Sequence, residues 1–130
     1  KETAGIFQKI LLKAKNPLDA IRMIFENFLP EILNDSKGKG CFTMSCKAEM
    51  GNQETNVQKW LLDTQENSLA LFEGLVEDGQ EQGLINQNQD SKSYAYFVFN
   101  AFQGFRMTGI LVKDRSVLQQ IIDNTIKVIE

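Results

Sequence analysis

A chain of 130 residues is long enough to bury a hydrophobic core without metal ions or disulfide bridges. Its formal net charge of -3 argues against nucleic-acid binding by this chain alone, because such binding needs an excess of lysine and arginine. The sequence contains no histidine, which argues against imidazole metal sites and the usual general base near neutral pH. We therefore predict that the chain is not an enzyme and that it holds no cofactor and no metal.

The first two predicted helices meet at a single dipeptide. Asn16-Pro17 ends an amphipathic N-terminal helix, because the residue before a proline disfavours the helical conformation. Asn16 is also the predicted N-cap of the next helix, with Pro17 at its first position and Asp19 three residues after the cap. Pro30 should kink that second helix near its end. Because the chain begins at Lys1 and shows no signal peptide, we expect that an N-terminal portion is missing.

The middle of the chain predicts a loop, a short helix and a long helix. Residues 34–40 are rich in glycine and polar residues and predict a flexible loop, and residues 41–50 predict a short helix after it. A long helix is predicted over residues 54–78. Gly79 and Gly83 follow it and can adopt the left-handed conformation that closes a helix.

The last two predicted helices differ in how their apolar residues are distributed. Residues 91–112 are apolar around most of the helix, with Arg106 as the only charge in residues 93–111, whereas the final helix after Asp114 has one broad apolar stripe. A helix that is apolar all round must be covered on every side. It is therefore either the central core helix of a monomer or part of a dimer, in which the last two helices and their copies form a four-helix bundle.

The apolar period is helical nearly everywhere, and no useful stretch alternates with a period of two. We therefore predict an all-α fold with six helices in a single domain over residues 1–130. The longest apolar run is too polar for a membrane span, so we expect no membrane partner and a cytoplasmic location.

Three segments, in this order, resemble the C-terminal domain of TetR-family transcriptional regulators: GKGCFTMSCKAEMG (38–51), LFEGLVEDGQEQGLI (71–85) and FNAFQGFRM (99–107). The resemblance covers essentially the whole chain. It implies an effector-binding and dimerisation domain that forms a homodimer through its last two helices. It also implies that a small effector alters the affinity for operator DNA of an N-terminal helix-turn-helix domain, which this chain lacks.

The predicted effector chamber combines aromatic and methionine side chains with a few polar groups. Such walls suit a mostly apolar small molecule, with Asn100 or Ser45 fixing its orientation. The predicted chamber residues are Met23, Phe28, Met44, Ser45, Trp60, Thr64, Phe97, Asn100 and Phe105. The predicted dimer-interface residues are Phe102, Arg106, Gly109, Val117, Leu118, Ile121, Ile122, Thr125 and Ile126. Ordinary core packing is the alternative for each chamber residue, and the sequence leaves open which side of residues 91–112 faces the effector.

The sequence leaves three questions about function open. A helical carrier or enzyme with an apolar pocket would share this composition, and turnover of a bound compound would distinguish it from a regulator. A structural dimerisation module would have no cavity. For Arg106 we favour an ion pair across the dimer or exposure of the guanidinium to solvent over contact with an anionic effector.

Overall fold

The computed structural model describes residues 2–34 and 55–130, and it describes the side chains of residues 8–34 and 65–130. These parts contain only α-helices as regular secondary structure, so the predicted all-α fold is confirmed. The helices are α1 (Glu2–Lys13), α2 (Pro17–Asn27), α3 (Leu29–Leu33), α4 (Thr55–Glu81), α5 (Ser91–Leu111) and α6 (Arg115–Ile129). The predicted loop after Asn34 and the predicted short helix over residues 41–50 lie outside the described residues.

The capping residues at the start of α2 have their predicted roles. The side chain of Asn16 accepts a hydrogen bond of 2.7 Å from the backbone N–H of Asp19, and Pro17 is the first helical residue. The predicted kink at Pro30 is instead a break, since α2 ends at Asn27 and a separate helix begins at Leu29. Proline lacks the N–H that would continue the helical hydrogen bonds, and its ring conflicts with the carbonyl four residues earlier.

The end of α4 uses its two glycines in different ways. Gly83 adopts the left-handed conformation, with φ of +75°, as predicted. Gly79 stays within the helix, and its carbonyl accepts the backbone N–H groups of Leu84 and Ile85 at 2.8 and 3.1 Å. A side chain at Gly79 would collide with Ile85. This glycine therefore allows the residues after α4 to fold back closely onto the helix.

Phenylalanines from three helices form the centre of the core. The ring centroid of Phe102 on α5 lies 5.3 Å from that of Phe25, 5.4 Å from that of Phe28 and 5.8 Å from that of Phe72. Phe105, one turn along α5, lies 5.5 Å from Phe25. Most of these pairs are edge-to-face, which is a favourable arrangement for aromatic rings. The side of α5 that carries Phe102 and Phe105 therefore lies at the centre of the core.

The N-terminal end of α5 is held by a hydrogen-bonded loop. Asn86 donates through its backbone N–H to the carbonyl of Ile129 at 2.8 Å and through its side chain to that of Val128 at 3.1 Å. The hydroxyl of Tyr94 donates to the side-chain oxygen of Asn86 at 2.6 Å. Gln80 on α4 donates to the carbonyl of Asn86 at 3.0 Å. Asn86 therefore connects α4, α5 and α6.

The C-terminal end of α5 is held by one lysine. The Nζ of Lys113 donates to the carbonyls of Gly109 at 2.7 Å and Ile32 at 2.8 Å. These carbonyls lie in the last turns of α5 and α3, where the helix dipole favours a positive charge. Both ends of α5 are thus fixed against its neighbours.

Candidate functional site

The solvent-facing side of α5 carries a nearly continuous apolar stripe. Its residues are spaced alternately three and four positions apart: Phe97, Asn100, Gly104, Met107 and Leu111. Leu111 is 89% exposed, Met107 46% and Phe97 38%. This spacing averages 3.5 residues, close to one helical turn, so the five positions lie along one line of the helix surface. Helices that pack lengthwise against other helices present stripes of this kind.

A second stripe with the same kind of spacing lies on α6. It consists of Val117, Ile121, Asn124 and Val128, of which Val128 is 52% exposed. As on α5, an asparagine interrupts an otherwise apolar row. Neither stripe contains a charged residue.

The two stripes open to the same side of the molecule. On α6, Asp123 pairs with Arg22 at 3.1 Å and Gln119 donates to Glu26 at 3.2 Å, so α2 packs on the side of α6 that faces away from the stripe. One flank of the stripe lies toward α5, the antiparallel neighbour of α6. On α5, Tyr94 lies on the flank toward the end of α6, to which it is connected through Asn86.

We call the combined surface the α5–α6 face. It consists of Phe97, Asn100, Gly104, Met107, Leu111, Val117, Ile121, Asn124 and Val128.

The described chamber residues fall into two separate groups. Phe28 and Phe105 lie in the aromatic core, and Phe105 is only 1% exposed, while Met23 packs at the edge of that core. Phe97 and Asn100 lie on the α5–α6 face, which is a different side of α5. The structure therefore does not bring these two groups together.

The side chains of the other four predicted chamber residues lie outside the described part of the chain. Trp60 and Thr64 lie in α4, with side chains outside the described part, and Met44 and Ser45 lie outside the described residues altogether. A shallow, open depression is present elsewhere, on the outer side of α6 between Arg115 and Asp123. None of the predicted chamber residues lines it. The assignment of the chamber stays a prediction.

Most of the predicted interface residues are covered by their own chain. Gly109 packs against Ile32, and Arg106 is partly buried. Val117 and Ile121 belong to the α5–α6 face. The residues buried within the chain are Phe102, Gly109, Leu118, Ile122, Thr125 and Ile126. The interface roles of all nine residues stay predictions.

Sequence reasoning missed several members of the α5–α6 face. Met107, Leu111, Asn124 and Val128 were not among the predicted site residues, although their three-and-four spacing is present in the sequence. That spacing was the signal that could have identified them.

Arg106 on α5 lies with its guanidinium against aromatic rings. The guanidinium carbon of Arg106 is 4.5 Å from the ring centroid of Phe28 and 5.7 Å from that of Phe102. A cation over an aromatic face is attracted by the negative charge density of the ring. This contact holds the Arg106 guanidinium against the core, and the ion pair across a dimer stays a prediction.

Comparison with known proteins identifies the family. The sequence matches the family described as "Tetracyclin repressor-like, C-terminal domain" over residues 17–125, from the first residue of α2 to Thr125 in α6. The chain belongs to the TetR-like C-terminal domain family. No curated protein and no solved structure gives a significant match. The resemblance inferred from the three sequence segments is confirmed.

Domains of the TetR-like family are regulatory rather than enzymatic. Among the residues described in this TetR-like domain, no three metal-binding side chains come together. None of its described helices is both long and apolar enough to cross a bilayer.

Proposed function

We propose that this TetR-like domain forms a homodimer through the α5–α6 face and binds a small, mostly apolar effector. Effector binding would change the affinity for operator DNA of an N-terminal helix-turn-helix domain, in a cytoplasmic regulator. The observation that carries the proposal is the α5–α6 face itself. Two neighbouring helices leave apolar side chains in solvent along matching stripes, and the family to which the chain belongs is regulatory.

The absence of charge on the α5–α6 face favours a second copy of this chain as its partner. In a dimer with two-fold symmetry, the same patch of both subunits meets, so residues near the axis lie close to their own counterparts. Charged residues near the axis would then bring like charges together. A face of phenylalanine, methionine, leucine, valine, isoleucine and neutral amides avoids that repulsion, and four helices with such stripes can pack as a bundle.

In this dimer the buried residues of the predicted interface have a supporting role. Leu118, Ile122 and Ile126 anchor the inner side of α6 in the core. Their packing holds Val117 and Ile121 in position for the second copy. In this dimer one side of α6 contacts the partner and another side packs into the core of its own subunit.

The proposed effector chamber lies between α4 and the aromatic side of α5. Its support is the concentration of aromatic residues around Phe28 and Phe105, together with Trp60 and Thr64 on α4. An effector that binds one arrangement of the helices more tightly than another shifts the population toward that arrangement. A difference of about 1–3 kcal/mol is typical of such coupling. Through α1 and α2 the shift would alter the spacing of the two DNA-binding domains.

The dimer is tested by placing a charge on the α5–α6 face. Met107→Glu should raise the dimer dissociation constant about a hundredfold, because each subunit would bury an unpaired carboxylate in an apolar interface. Ala70→Glu is the matched control, since Ala70 is exposed on α4 and outside the face. Analytical ultracentrifugation of the 130-residue chain measures both. If Met107→Glu remains as dimeric as Ala70→Glu, the dimer interface lies elsewhere.

The effector is tested by native mass spectrometry of the purified chain. We expect the dimer to carry an additional small mass that is lost on activation, and Trp60→Ala to form the same dimer without it. Retention of that mass by Trp60→Ala would remove Trp60 from the chamber. Recovery of the compound in a chemically altered form would favour the alternative of a helical enzyme.

A further inference from the structure

Residues 65–130 contain five glycines, and contacts or conformation within the chain explain three of them. Gly83 has the positive φ that favours glycine. Side chains at Gly79 and Gly109 would collide with Ile85 and Ile32 respectively. Each of these glycines therefore has a structural reason inside one subunit.

Gly74 and Gly104 have no such reason. Both lie inside long helices, both are exposed, and a Cβ atom added to either would have no neighbour within 4 Å. A helix with glycine in its interior is less stable than one with alanine there. Gly74 and Gly104 therefore lower helix stability, and no contact within the chain requires glycine at either position.

The surroundings of these two glycines differ. Gly74 lies on the outer side of α4 near Glu77, Asp78 and Glu81, which is a charged and solvated surface. Gly104 lies at the middle of the α5 stripe, with two stripe positions before it and two after it. Only Gly104 therefore interrupts an exposed apolar surface.

We infer that the two copies of α5 cross at Gly104, with their backbones in close contact at the two-fold axis. This inference rests on the proposed homodimer and adds the point at which its subunits meet. A residue on the two-fold axis faces its own counterpart, so that residue limits how closely the two helices approach. Glycine permits the closest approach. The side chains of Asn100 and Met107, one turn to either side, then fill the space around the crossing.

The inference is tested by adding side chains at Gly104. Gly104→Leu should raise the dimer dissociation constant at least about tenfold and Gly104→Ala severalfold, both measured by sedimentation equilibrium of the 130-residue chain. The matched controls are Gly74→Leu and Gly74→Ala, which should leave the constant within about twofold of wild type. Circular dichroism should show retained helix content in all four variants, because neither position has intrachain neighbours for the new side chain to displace.

Comparison of Met107→Glu with Gly104→Leu tests the interface and the crossing point separately. If Met107→Glu dissociates the dimer while Gly104→Leu dimerises as tightly as wild type, the face is correct and the crossing at Gly104 is overturned. If neither variant weakens the dimer, both the proposed interface and the crossing are overturned. A wild-type chain that is monomeric at micromolar concentration has the same consequence.

A distance-sensitive measurement provides an independent check. In a chain carrying Cys41→Ser and Cys46→Ser, the variant Gly104→Cys should form a covalent dimer on treatment with diamide, which accepts the two thiol hydrogens. A disulfide requires Cα atoms within about 7 Å of each other. The control variant Gly74→Cys should stay uncrosslinked under the same conditions. Equal crosslinking of both variants, or none at Gly104→Cys, would contradict close contact at Gly104.

Discussion

Asn86 connects three helices near the N-terminal end of α5. It accepts a hydrogen bond from the hydroxyl of Tyr94, donates to two carbonyls at the end of α6 and accepts from Gln80. Asn86→Ala should lower the free energy of unfolding by about 2 kcal/mol, because it removes the side-chain bonds and leaves partners unsatisfied. Urea denaturation measures the change.

Asn88→Ala is the control for Asn86→Ala. Asn88 is exposed in the same loop, and its backbone N–H, which the substitution retains, bonds to Asn86. We expect a change within about 0.5 kcal/mol. Equal losses in the two variants would show that Asn86 has no special role in connecting the helices.

Lys113 has a comparable role at the other end of α5. Lys113→Met keeps most of the aliphatic stem but removes the ammonium group that donates to the carbonyls of Gly109 and Ile32. We expect a loss of about 1–2 kcal/mol in the free energy of unfolding, since these bonds are charge-assisted and lie at helix C-terminal ends. Lys92→Met, at the opposite end of α5, should be near neutral. An equally large loss of unfolding free energy in Lys92→Met would show that the bonds of Lys113 to the helix carbonyls are not the cause.

At the scale of the element, α5 depends on its aromatic side. Phe102 contacts three phenylalanine rings and is buried. Phe102→Ala should reduce the free energy of unfolding by about 3–5 kcal/mol, because it leaves a cavity among rings that cannot collapse fully. Phe102→Leu should cause a smaller loss. Chemical denaturation of the two variants tests this order, and similar losses would contradict the cavity explanation.

Helix boundaries could be predicted where the signals were local. Asn16 and Asp114 bond to backbone N–H groups two or three residues away, so their role as caps depends little on the rest of the fold. The orientation of α5 could not be predicted in the same way. Phe97 and Phe105 have the same side chain, yet one is on the outer face and the other in the core. Their difference arises only from which neighbouring helices cover α5.

The proposed dimer makes stability a property of two chains. Because unfolding of a dimer releases two subunits, its midpoint temperature should rise with protein concentration. Met107→Glu should remove most of this dependence and unfold at a lower, nearly constant temperature. Differential scanning calorimetry over a hundredfold range of concentration tests the expectation. A wild-type midpoint that does not change with concentration would count against the dimer.

The uncharged character of the α5–α6 face determines how the molecule responds to ionic strength. Salt screens contacts between exposed charges but has little effect on apolar packing, so the dimer should persist when ionic strength rises about tenfold. Protein contacts with DNA phosphates weaken steeply over the same range, because their strength depends on released counterions. In the proposed regulator, changes in salt concentration would therefore alter operator occupancy while the two subunits stay paired.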